Sequence, residues 1–131
     1  MLCFCFSATT QNDYDAPNLL EFTYGGYHEG SFYYVSNNTS NWYSAYAICN
    51  DFGGHLVSIT SIEEQSFIET LTTEIVWIGL YQDINSVEYE ENNDEGWVWV
   101  SGEDFLYENW INQEPSNPDE HHGAYNLDGN G

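Results

Sequence analysis

Apolar residues recur at three- and four-residue spacing through Trp42, Ala45, Cys49 and Phe52. That period predicts a helix with one buried face. Thr39, Ser40 or Asn41 supplies its cap, and Gly53-Gly54 ends it. A capping box, Ser61-Ile62-Glu63-Glu64, opens a second helix that runs through about Thr72, with Phe67, Ile68 and Leu71 on its apolar face. Between the helices, residues 55–59 (HLVSI) read as a short extended link. Three segments have strand character. Ser31–Ser36 (SFYYVS) is aromatic and β-branched between Gly30 and Asn37. Residues 75–81 (IVWIGLY) form a near-continuous apolar run, which predicts a strand buried on both faces. Residues 97–100 (WVWV) form the third, closed by Ser101-Gly102. Polar, turn-rich residues 9–25 read as a lead-in, 82–95 as a long acidic loop, and everything from Glu103 onward lacks strong periodicity.

The chain's 131 residues suit one domain with one core. The aromatic share, 18%, is high enough to build that core in spite of the charge, which argues against global disorder. The charge balance narrows the partners. There are 22 acidic residues and no Lys or Arg, a formal net charge of −22. Phosphate backbones and anionic lipid surfaces repel such a chain, so nucleic acid and membrane headgroups are poor partners and cations are natural ones. An acidic, solvated surface with no specific cation is the alternative. No stretch is long enough to span a bilayer.

The first eight residues, MLCFCFSA, read as a signal-peptide remnant ending near Ala8, although a basic n-region is missing; a short N-terminal strand is the other reading. The cysteines are Cys3, Cys5 and Cys49, and an odd count in a secreted-looking chain implies a missing partner or a free thiol. Asn37-Asn38-Thr39-Ser40 holds overlapping glycosylation sequons at Asn37 and Asn38, which fits an extracellular, secreted address. No nucleophile elbow, HExxH or P-loop spacing appears, so a binding domain is expected rather than an enzyme.

With these elements in order, the residues resemble the C-type lectin-like domain. Trp42, Ala45 and Cys49 lead to Gly53-Gly54-His55-Leu56, followed by Ile59, Ser61, Glu64 and Phe67 at the family's intervals. Trp77-Ile78-Gly79-Leu80 looks like the family's core strand, Glu95-Gly96-Trp97-Val98-Trp99 like its next strand, and Asn109-Trp110 like the following landmark. Glu114-Pro115-Ser116 stands where the family has its Glu-Pro-Asn sugar motif. The resemblance implies an α+β fold, two helices flanking a small antiparallel sheet with a long irregular loop region. It divides the chain into residues 1–8, a lead-in over 9–26, and an incomplete domain over 27–131. In the family Cys49 would pair with the last cysteine of the domain, which is missing here, and Gly123 falls at a cysteine of the second disulfide. The chain is expected to stop before the family's Trp-Asn-Asp motif and two closing strands, roughly 20–30 residues short.

The resemblance also implies a site. Sugar-binding members hold Ca²⁺ through roughly six to eight hard oxygens, and vicinal sugar hydroxyls complete the shell. The proline of the motif is typically cis, which turns both flanking side chains toward one ion. Glu114 would ligate Ca²⁺ and accept from a sugar hydroxyl; Ser116 replaces the amide, and Asn117 compensates if the loop shifts by one. Asp119 or Glu120 takes the second carboxylate's place, although the alignment puts His121 or His122 there, and histidine is a poor Ca²⁺ ligand. Glu91, Glu95 and Asn117 fall near a second Ca²⁺ site of the family. The expected function is therefore Ca²⁺-dependent carbohydrate binding, with glycans or glycoproteins as partners. The alternative is a lectin-like domain that binds no sugar and contacts proteins or mineral surfaces instead.

Overall fold

The computed structural model describes residues 1–7, 21–89, 95–111, 114–115 and 119–125, and of residues 2–7 the backbone only. Its elements in chain order are β1 (Leu2–Ser7), β2 (Phe22–His28), β3 (Ser31–Ser36), α1 (Trp42–Asp51), β4 (His55–Leu56), α2 (Ile62–Ile68), β5 (Val76–Gln82), β6 (Trp97–Trp99) and β7 (His122–Tyr125). The strands join in one sheet of order β2-β3-β1-β5-β6, with β4 against β1 and β7 against β5. This is the α+β architecture expected: two helices and a small sheet whose pairings are antiparallel except where β1 meets β5.

The period of two along the strands sorts the core into two layers. On β3, Tyr33 and Val35 join one cluster while Tyr34 joins the other. On β5, Val76, Ile78 and Leu80 join the cluster that receives Ile68 of α2, while Trp77 and Tyr81 pack against the cluster that contains Trp42, Ala45 and Cys49 of α1. One helix thus covers each face, which is why residues 76–80 show no hydrophobic-polar alternation. Trp77 therefore serves the α1 layer.

The local signals act as their chemistry requires. Asn41 caps α1, its Oδ1 accepting from the Ser44 N–H at 2.9 Å. Ser61 Oγ accepts from the Glu64 N–H at 3.1 Å, and Glu64 reaches back to the Thr60 N–H at 2.8 Å, one residue outside the usual box. The α-helix there ends at Ile68 and not near Thr72. Beyond it the Thr70 and Leu71 N–H groups bond to carbonyls three residues back, a tighter turn than α. The β2–β3 hairpin closes on Glu29 and Gly30, both at positive φ, 46° and 92°, as a two-residue hairpin turn demands.

Gly79 sits where the chain crosses most closely. A Cβ built on it would lie 2.6 Å from the Leu56 carbonyl oxygen and 2.7 Å from Val100 Cγ2. Its N–H donates to the Val57 carbonyl at 2.7 Å, and its carbonyl accepts from Val100 at 2.8 Å. Two elements the sequence pattern did not define also appear: β2 occupies what reads as a lead-in, and β7 pairs along β5 although HGAY carries no strand signature. Leu2–Ser7 forms β1, in line with the second reading of the N-terminal run. Cys49 is fully buried and disulfide-bonded, which corrects the expectation that it stands without a partner.

Candidate functional site

The chain from Ser101 to Ile111 carries neither helix nor strand, and its ring contacts and hydrogen bonds hold it over the sheet. Trp110 packs on Trp97 with ring centroids 5.1 Å apart, and Phe105 on Trp99 at 5.8 Å. Tyr107 donates its hydroxyl proton to Gln65 Oε1 on α2 at 2.6 Å. The Glu114 N–H then donates to the Ile111 carbonyl at 2.9 Å, folding the chain back, and the Glu114-Pro115 peptide is cis.

Under this segment lies a cleft of about 770 Å³ that reaches from α2 to β7. Glu114, Pro115 and Glu120 line it, together with Trp97, Trp99 and Trp110. Glu114 is half-buried and Glu120 exposed. Two carboxylates expected to act together thus border one cavity, with an aromatic wall behind them. Tyr107 and Tyr125 also line it, and the proton affinity of both phenols is raised, first by burial and then by the charge of Glu69. Both phenols are therefore neutral hydrogen-bond donors throughout the physiological range.

The two histidines that the alignment sets in the second carboxylate's place point apart. His121 meets Gln82 Oε1 through Nδ1 at 2.9 Å, and because the Gln82 amide nitrogen already donates to the Glu95 carbonyl at 2.8 Å, the histidine is the donor. His122 packs on Trp42, ring centroids 4.4 Å apart. Burial, with His121 as a second cause, lowers its proton affinity and keeps it neutral. Among the described residues no group of three or more His, Cys, Asp or Glu side chains is placed to hold a metal ion. Ser116, Asn117 and Glu91 lie outside the described residues. Glu95 is exposed, on the Gln82 side, and does not line the cleft. Asn37 and Asn38 are both exposed beyond β3, and Asn37 Oδ1 accepts from Thr23 Oγ1 at 2.6 Å.

Sequence reasoning treated Trp97, Trp99 and Trp110 only as fold landmarks, and it passed over Gln82. The tryptophans carried a visible signal, being large aromatics at the borders of an unpatterned segment. Gln82 carried none, since a buried amide hub shows itself only once its partners are placed.

Residues 38–130 match the model of the lectin C-type domain. C-type lectin domain family 4 member F of Rattus norvegicus is 37% identical over 82 residues, 62% of this chain and 14% of that protein. Asialoglycoprotein receptor 2 of Homo sapiens is 37% identical over 93 residues, 69% of this chain and 27% of the receptor. CD209 antigen of Homo sapiens is 33% identical over 110 residues, 79% of this chain and 25% of that protein. The chain therefore spans between 14% and 27% of the length of these relatives. No solved structure matches it.

Proposed function

This chain belongs to the C-type lectin domain family, and from that premise we propose that it is an extracellular carbohydrate-binding domain whose site is the cleft beside Glu114. The observation that carries this reading is the joint placement of Glu114, Pro115 and Glu120 on one cavity with an aromatic wall. Carboxylates accept from sugar hydroxyls, and aromatic faces receive the apolar face of a sugar ring. Ser116 and Asn117 follow directly on Pro115 and would supply the neutral polar contacts, Asn117 as hydroxyl acceptor and donor both.

Calcium belongs to the proposal. The donors available, carboxylates of Glu114 and Glu120 and the hydroxyl of Ser116, are hard oxygens, the class that suits Ca²⁺. The divergent histidines speak against a transition metal at the same place. When bound, the ion would fix two vicinal hydroxyls and neutralise the paired carboxylates. The second set, Glu91, Glu95 and Asn117, is a further Ca²⁺ candidate on chemistry alone. No helix among the described residues is long and apolar enough to cross a membrane. N-glycosylation at Asn37 or Asn38 accompanies the extracellular reading. We read the domain as binding without catalysis.

A glycan array probed with the full chain, with calcium and with chelator, tests the proposal. Binding that chelator abolishes, and that Glu114→Gln lowers at least about tenfold, is expected from loss of a charged hydrogen-bond acceptor. Binding that ignores chelator, or none in any condition, overturns it. The net charge of −22 favours one other reading, a lectin-like domain that docks on cationic protein or mineral surfaces. Array silence together with salt-sensitive capture on a basic surface would select that reading.

A further inference from the structure

In the order of strands, β1 lies where the two halves of the sheet meet. Its Phe4, Cys5, Phe6 and Ser7 pair with Val35, Tyr34, Tyr33 and Phe32 of β3. On its other edge Cys5 and Phe6 pair with β4, and Leu2 and Cys3 run parallel to Val76 and Trp77 of β5. The sheet path from β3 to β5 runs through β1. The start of the strand is tied as well, because the Ser40 N–H donates to the Met1 carbonyl at 2.9 Å, just ahead of α1. Taking such a strand away would strip partners from buried backbone groups on both flanking edges, an arrangement folded proteins avoid.

A second observation concerns the same segment independently. Cys49 is fully buried in α1 and disulfide-bonded. The chain's other cysteines are Cys3 and Cys5, both within β1.

We propose that residues 1–7 are a permanent strand of this domain, bridged to α1 by a disulfide from Cys49 to Cys3 or Cys5, and that the bridge makes closure of the sheet dependent on oxidising conditions. The folded unit then begins well ahead of residue 38, where the lectin C-type match starts. It also separates the segment from the fate of a cleaved leader, because a strand paired on both edges and covalently anchored stays with the protein. Reduction would free β1 to fray from β4 and β5, loosening the half of the sheet that carries the cleft. This holds whether or not the cleft takes a sugar.

The test uses the full chain, secreted behind a removable upstream leader and freed of N-linked glycan. Trypsin finds no Lys or Arg to cut, so the map is made with Glu-C, which cleaves after Glu21, Glu29 and Glu63. Without reductant, a linked pair of fragments 1–21 and 30–63 is expected, parting when reductant is added. Thermal melts give the second reading. Reductant should lower Tm by about 10 °C, the scale expected for loss of a structural disulfide. Cys49→Ser should show the same fall and no further response to reductant. Cys49 recovered as an alkylated free thiol, a chain whose N-terminus begins after residue 7, or a Tm that reductant leaves unmoved would each overturn the proposal.

Discussion

The two faces of the sheet use the same side chain differently. On the α1 face, Trp42 donates its indole N–H to the Ile78 carbonyl at 2.8 Å and Trp77 donates to the Ser40 carbonyl at 3.0 Å. The helix and β5 are latched to each other in both directions. On the cleft face, Trp97 and Trp99 are as well buried, yet the Nε1 of each has no hydrogen-bond partner among the described residues. Those rings serve as apolar wall, and a buried donor left unpaired costs on the order of 1–3 kcal/mol. The latched face fixes one geometry. The cleft face is held by ring packing, Trp97 against Trp110 and Trp99 against Phe105, without such latches.

The junction between the faces should be the most sensitive point. Gly79→Ala drives a methyl into the Leu56 carbonyl and Val100, and is expected to cost about 3 kcal/mol in urea denaturation, the upper range for overpacking. A loss under about 1 kcal/mol would mean the crossing is looser than drawn. Next in size is the contrast between matched substitutions. Trp42→Phe removes a latch onto the Ile78 carbonyl, whereas Trp99→Phe removes a donor that has no acceptor among the described residues. The first should exceed the second by about 1–2 kcal/mol; equal losses would erase the distinction between the faces.

The smallest expected effect lies at His122, which touches Trp42 and Tyr43 where the faces meet. Its proton affinity is lowered in the folded state, by burial first. The unfolded chain therefore takes up that proton first as pH falls below about 6.5, so the contribution of neutral His122 is present above that pH and lost below it. Comparing melts from pH 7.5 to 5.5 tests this. Wild type should lose a few degrees relative to His122→Phe, and parallel curves would refute the assignment. Glu114→Gln provides the control on the cleft side: a half-buried rim carboxylate, it should leave stability within about 0.5 kcal/mol while binding falls.

Much of the frame was legible because its signals are local. The spacing of Trp42, Ala45 and Cys49 marks a helix face whatever lies beneath it. Ser61 and Glu64 cap a turn within their own four residues. The unbroken apolar run through Ile78 and Leu80 announced a strand covered on both sides. Less was legible where partners are distant. β7 exists because β5 has an edge to fill, so His122–Tyr125 needed no pattern of its own. The length of α2 was overestimated because Leu71 continues the apolar period while its N–H has already shifted to a tighter turn. In the candidate site, Glu114 was found through its motif, but the tryptophan wall behind it and the Gln82 hub beneath His121 were not.

The sequence by itself determined the family, the two helices and the cap of the second, the central strand, and the absence of any Lys or Arg to neutralise the acidic surface. Each of these is written in short-range spacing or in composition. Only the tertiary structure decided that Trp77 serves one layer, that His121 and His122 part company, and that Glu114 and Glu120 share a cavity. It alone brought Leu2–Ser7 to the middle of the sheet. Pairing of strands far apart in the chain depends on edges and volumes that no local pattern encodes, and a segment that in isolation reads as leader or strand becomes a strand once two open edges stand on either side of it.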